Sequence, residues 1–96
     1  MNYKDLQEAI RILGLGERAS IGEIKARHKL LVKRYHPDTG NDCDGEMIRK
    51  VNAAYRIVLD YVSVYRFSFT EHDFYDQNPE ARIWRQFTDD ALWGTK

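Results

Sequence analysis

The chain has 96 residues, enough for one small domain with an apolar core of its own. Hydrophobic residues make up 43% of it and charged residues 31%, a globular composition that excludes a disordered chain. Fifteen basic residues balance fifteen acidic ones, so the net charge does not point to a nucleic acid or a membrane surface as partner. The first residues carry charges and no long apolar run. We therefore expect neither a signal peptide nor a membrane span, and a cytoplasmic protein.

No metal site or covalent cross-link is predicted. The single cysteine, Cys43, cannot form a disulfide within the chain, and no Cys/His spacing matches a zinc site. A metal site built from His36, Asp38, Asp42 and Asp44 is a weak candidate, because the stretch lacks the alternating acids and closing glutamate of a calcium-binding loop. We expect no metal ion and no cofactor.

A short first helix is predicted over residues 3–13. Its apolar residues recur at steps of three and four, which is the pattern of an amphipathic helix. They are Tyr3, Leu6, Ile10 and Leu13, with Ala9 between them. Gly14 and Gly16 follow, and glycine readily adopts the left-handed conformation that ends many helices. We expect this helix to serve packing alone.

A second helix is predicted over residues 21–35. Ser20 and Glu23 have the spacing of a capping box, in which each side chain accepts from the other residue's backbone N–H. One face of the helix is largely apolar and should meet the core. It consists of Ile21, Ile24, His28, Leu31 and Tyr35.

The second helix is also strongly basic. Lys25, Lys29 and Lys33 repeat every four residues and form one line, with Arg27 and Arg34 beside it. With one acid on the helix, the net charge is +4. Such a face is a solvated surface, a nucleic-acid site or a docking site for an acidic protein. The stretch has neither interleaved aromatic residues nor a recognition-helix pattern, so we expect no nucleic acid to bind.

The tripeptide His36-Pro37-Asp38 should end this helix, because proline disfavours the helical conformation in the residue before it. A histidine beside an aspartate suggests a general-base pair. Catalysis, however, also needs a nucleophile and an oxyanion site within a cleft, and a loop between two helices of so small a domain offers none. We expect no enzymatic activity.

A third helix is predicted over residues 45–65, capped by Asp44. Its apolar stripe is wide enough to cover both earlier helices. The stripe consists of Met47, Ile48, Val51, Ala54, Tyr55, Val58, Leu59, Val62 and Tyr65. Two long helices joined by a loop of this length should form an antiparallel hairpin. The predicted fold class is therefore all-α.

From about residue 6 to residue 64, the chain resembles the J domain of DnaJ-type co-chaperones. The resemblance rests on the basic second helix that ends in Tyr35-His36-Pro37-Asp38, and on Val51-Asn52-Ala53-Ala54-Tyr55 in the third helix. The tripeptide alone is a weak motif, but together with both flanking helices it is a strong one. The resemblance predicts a J domain over residues 1–65.

The resemblance also implies a function. J domains bind the ATP-bound form of a DnaK-type heat-shock chaperone and stimulate its ATP hydrolysis, without chemistry of their own. Carried over, the loop formed by His36, Pro37 and Asp38 would stimulate hydrolysis. The basic helix face would dock on an acidic patch of the chaperone; its expected docking residues are Lys25, His28, Lys29, Lys33 and Arg34.

Three positions depart from the family pattern. His28 stands where the family often has tyrosine, Thr39 where it usually has a basic residue, and Ile48 where it often has phenylalanine. The first two differences motivate an alternative hypothesis: a J-like adaptor that does not stimulate ATPase activity and binds another protein through its C-terminal extension.

Residues 66–96 form an aromatic, acidic C-terminal extension beyond the resemblance. Short helices are predicted from Thr70 to about residue 76 and over residues 79–88, where Ile83, Trp84 and Phe87 share one side. The extension either packs on the J domain and enlarges its core, which we expect, or docks elsewhere. In the second case it binds a client or target protein, or covers the basic helix.

Overall fold

A computed structural model of the protein describes residues 1–36 and 45–88, with side chains up to Arg85 in the last helix. Every regular element in these ranges is an α-helix. The helices are α1 (Tyr3–Leu13), α2 (Ile21–Tyr35), α3 (Gly45–Ser63), α4 (Glu71–Gln77) and α5 (Pro79–Thr88). The predicted all-α fold class is confirmed. The chain divides into two compact units, Met1–Tyr65 and Arg66–Lys96, which are described separately below.

Helix α1 begins and ends where the sequence predicts. The Asn2 side chain accepts from the backbone N–H of Asp5 at the start of the helix. Gly14 ends it in the left-handed conformation, with φ of 70°. Tyr3, the first residue of the apolar stripe, lies outside the core, because 71% of its surface is exposed.

Helix α2 matches its predicted bounds, and its capping box is present. The Ser20 hydroxyl oxygen accepts from the Glu23 N–H at 3.1 Å, and the Ser20 N–H donates to the Glu23 carboxylate at 2.7 Å. The helix stops before His36, whose φ of −65° and ψ of 131° are extended. Ile21, predicted to face the core, is exposed.

Helix α3 packs against both α1 and α2 and completes the core of the first unit. It ends at Ser63, two residues before the predicted end, and Tyr65 is exposed. The buried core consists of Leu6, Ala9, Leu13, Ile24, Leu31, Val51, Ala54 and Val58. All of these belong to α1, α2 and α3, so the first unit carries the buried apolar core of the described residues.

The second unit contains α4 and α5, joined at Asn78. The Thr70 side chain caps α4 by accepting from the Asp73 N–H, and the Asn78 side-chain amide donates to the Phe74 carbonyl at 2.8 Å. An ion pair links the two helices: the Arg85 guanidinium contacts the Glu71 carboxylate and also lies over the Tyr75 ring. The exposed apolar side chains of the second unit include Phe67, Phe69, Phe74, Ile83 and Trp84. The predicted packing of this unit on the first stays a prediction.

Within the described ranges, no helix has both the length and the apolar character needed to cross a bilayer.

Candidate functional site

The basic line predicted on α2 is an exposed surface. Lys25, Lys29 and Lys33 are exposed, and their four-residue spacing places them on successive turns of one helix face. The core side of the same helix is held by the buried Ile24 and Leu31. The fold thus anchors α2 by its apolar side and presents the lysines outward.

The single acid of α2 is engaged at the start of the helix. The backbone N–H and the hydroxyl of Ser20 bond to the Glu23 carboxylate, and these bonds lower the pKa of that carboxyl below its ordinary value. A carboxylate also suits the positive end of the helix. The negative charge of Glu23 therefore serves the first turn of α2, while the lysines lie on the turns that follow.

The His36 backbone forms the C-terminal end of α2, and its side chain is half-buried. Pro37 and Asp38, the other two residues of the expected stimulating loop, lie outside the described residues, as does Thr39. The structure therefore brings His36 to the end of the lysine-bearing helix.

His28 joins α2 to α3. Its ring stacks on the ring of Tyr55, with centroids 3.7 Å apart and planes 4° from parallel. Its Nε2 lies 2.9 Å from Oδ1 of Asn52, which accepts the hydrogen bond. His28 thus packs between the helices next to the basic line, and it remains partly exposed there.

Arg27 contacts α1 rather than extending the basic line outward. Its Nε donates to the Leu13 carbonyl at 2.8 Å, across the chain reversal between α1 and α2. The last carbonyls of a helix have no partner within it and carry partial negative charge, so an arginine there both satisfies and neutralises them. Arg27 therefore connects α2 to the end of α1.

Arg34, on the last turn of α2, is exposed, and its guanidinium lies 5.7 Å from the centre of the Tyr35 ring.

Comparison with known proteins assigns this arrangement to a family. The sequence profile described as DnaJ domain matches residues 4–63, from the start of α1 to the end of α3. The chain belongs to the DnaJ domain family. The match spans α1, α2 and α3, the stretch over which the sequence resembles a J domain, and the predicted family membership is confirmed.

Curated relatives of this chain include bacterial proteins named chaperone protein DnaJ. The chain is 36% identical over 77 residues to the one from Rickettsia typhi, covering 79% of this chain and 20% of the relative. It is 36% identical over 62 residues to the one from Deinococcus proteolyticus, covering 62% of this chain and 19% of the relative. The chain thus spans about a fifth of the length of these relatives. None of the solved structures matches it significantly.

Sequence reasoning missed two contacts around the J-domain site. It grouped Arg27 with the basic face, and the only signal for its role was the nearby glycine end of α1. It left His28 as a packing or docking residue, and nothing in the sequence pattern pairs His28 with Asn52 and Tyr55, 24 and 27 residues further along the chain.

Among the side chains that the structure describes, no group of three or more His, Cys, Asp or Glu could hold a metal ion. Of the weak candidates from the sequence, Asp38, Asp42 and Asp44 lie outside the described residues.

Proposed function

We propose that the protein is a non-enzymatic co-chaperone that binds the ATP-bound form of a DnaK-type chaperone and stimulates its ATP hydrolysis. One observation carries the proposal: the exposed line of Lys25, Lys29 and Lys33 lies on the helix that ends at His36, within a J domain. An exposed row of cations suits an acidic protein surface, and the attraction should weaken as salt is added.

The loop is the proposed stimulating element. Docking through α2, with Arg34 on its last turn, would bring the residues after Tyr35 to the chaperone. His36, Pro37 and Asp38 would then act on the partner's nucleotide cycle without forming or breaking bonds themselves. The half-buried His28, stacked on Tyr55, would support this docking face from the side of α3.

Single-turnover ATP hydrolysis by the DnaK-type chaperone encoded in the same genome tests the proposal. The wild-type protein should accelerate hydrolysis and Asp38→Asn should abolish the acceleration, because the amide removes the loop's negative charge. Asp60→Asn is a matched control, since Asp60 is exposed near the end of α3. No acceleration by the wild type, or equal acceleration by wild type and Asp38→Asn, would refute the proposal.

The alternative function is a J-like adaptor that binds another protein through residues 66–96 without stimulating ATPase activity. The exposed side chains of Phe69 (93%) and Trp84 (67%) favour a binding role for this segment. In the co-chaperone proposal, the same segment would hold one client or target protein. A stable complex with such a protein, together with no effect on chaperone ATP hydrolysis, would favour the adaptor.

A further inference from the structure

An apolar strip interrupts the outward surface of α2. Leu30 is 51% exposed, although a leucine on an amphipathic helix normally faces the core. Successive residues of an α-helix are about 100° apart, so Leu30 lies roughly 110° around the helix from the mean direction of the buried Ile24 and Leu31. Ala26, one turn earlier, is also exposed. We call Ala26 and Leu30 the apolar strip.

Cations border the apolar strip. Lys29 and Lys33 lie along one side of it, and Arg34 lies one turn beyond Leu30 on the other side. A single exposed leucine needs no functional explanation. An apolar centre with a charged rim, however, is the usual anatomy of a protein–protein interface, and residues at such a centre contribute most to affinity.

We propose that Leu30 is an apolar anchor of the chaperone-docking face and contributes directly to affinity. Its side chain would insert into an apolar recess bordered by acidic residues on the DnaK-type chaperone, while the flanking cations pair with those acids. This inference rests on the proposed function and adds the chemistry of the partner surface. The inference also assigns different contributions to the residues of α2. The lysines set the salt dependence of binding, and Leu30 contributes affinity that salt does not screen.

Equilibrium binding of variants of the 96-residue chain tests the assignment. The probe is a hydrolysis-defective form of the DnaK-type chaperone held in its ATP-bound state, titrated at low and high salt. Leu30→Ala should raise Kd about fivefold at both salt concentrations, the lower range for truncating an interface anchor. Lys29→Ala should instead reduce the salt dependence itself, because it removes a screened charge.

Two further variants isolate the apolar contact. Leu30→Gln keeps side-chain length and helix propensity but removes apolar character, so it should weaken binding as Leu30→Ala does. Ile21→Ala is the matched control: Ile21 is 45% exposed on the same helix, about 13 Å away along its axis, and its truncation should leave Kd unchanged. Thermal unfolding of each variant checks that the fold is retained.

The outcomes separate the inference from the proposed function. If the wild type binds the chaperone and Leu30→Ala binds equally well, the role of Leu30 is refuted and the co-chaperone proposal stands. If Ile21→Ala weakens binding as much as Leu30→Ala, the effect does not belong to the apolar strip and the inference also fails. If the wild type does not bind at all, both proposals fall together.

Discussion

The imidazole of His28 lies flat against the phenol ring of Tyr55, 3.7 Å between ring centres, while its Nε2 bonds to Asn52. The two α3 residues are one helical turn apart, so one side chain of α2 meets two successive positions of α3. This contact ties α2 to α3 within the first unit.

The His28 contact should contribute measurably to stability. We expect His28→Ala to lower the free energy of unfolding by about 1–2 kcal/mol. This is the combined contribution expected from the ring stack and from a partly exposed hydrogen bond. His28→Phe keeps the stack and should lose less. Urea unfolding of both variants and of Asn52→Ala gives the values. A double-mutant cycle between His28 and Asn52 with no coupling energy would contradict the hydrogen bond.

The end of α1 depends on the conformation of Gly14. Any other residue there would be strained by the φ of 70°, and an added Cβ would lie 2.7 Å from Nη2 of Arg27. We expect Gly14→Ala to cost about 1–2 kcal/mol of unfolding free energy. Gly16→Ala is the matched control, because nothing lies within 4 Å of a Cβ at that position. Equal destabilisation by both changes would show that neither the left-handed conformation of Gly14 nor the nearby Arg27 side chain determines the cost of the substitution.

The capping box should make part of the stability of α2 dependent on pH. Hydrogen bonds from Ser20 lower the pKa of Glu23 in the folded protein. A carboxyl with a lowered folded-state pKa stabilises the fold above its unfolded-state pKa, near 4.3 for an ordinary glutamate, and this contribution disappears as the pH falls through the folded value. Glu23→Gln should therefore be less stable than wild type near neutral pH and approach it in acid.

Urea midpoints of wild type and Glu23→Gln, measured from about pH 7 to about pH 3, check this sign. Glu17→Gln, an exposed change in the segment before α2, controls for the general effect of removing a carboxylate. A gap between wild type and Glu23→Gln that stays constant across the range would contradict the role of the ionised carboxylate.

Residues 1–65 should fold without the C-terminal extension. The eight buried apolar side chains of the described residues all lie between Leu6 and Val58. We expect the fragment to unfold cooperatively and to retain its helical circular dichroism. If the extension packs on the J domain as predicted, the full chain will have the higher free energy of unfolding; equal values would remove that packing prediction. A fragment that fails to fold would show that the first unit depends on the second.

Local sequence signals predicted the helices well. The capping box at Ser20 and Glu23, the glycine after Leu13 and the proline at position 79 each act within a few residues, and the bounds of α1, α2 and α5 follow them. The predicted end of α3 was two residues too late. Its apolar pattern continues through Tyr65, but no capping signal of comparable strength marks the end.

The apolar periodicity was less informative about burial. It predicts toward which side of a helix a residue points, but it does not predict whether another helix covers that residue. Tyr3 and Ile21 therefore share the apolar faces of α1 and α2, yet both lie on a first turn and remain exposed. The contacts of Arg27 with Leu13 and of His28 with Asn52 depend on how separate helices meet, which local patterns do not encode.

The position of Arg27 also limits its contribution to the electrostatic attraction between α2 and an acidic protein in solution. Its guanidinium faces the carbonyl end of α1, where the helix carries about half a negative charge. Arg27 therefore lies on the side of α2 turned toward α1, roughly 160° around the helix from Lys29, and salt screening over about 10 Å reduces its effect on an acidic protein that approaches the lysines. Long-range electrostatic steering should therefore depend mainly on Lys25, Lys29, Lys33 and Arg34, and Arg27→Gln should change the association rate constant less than Lys29→Gln does.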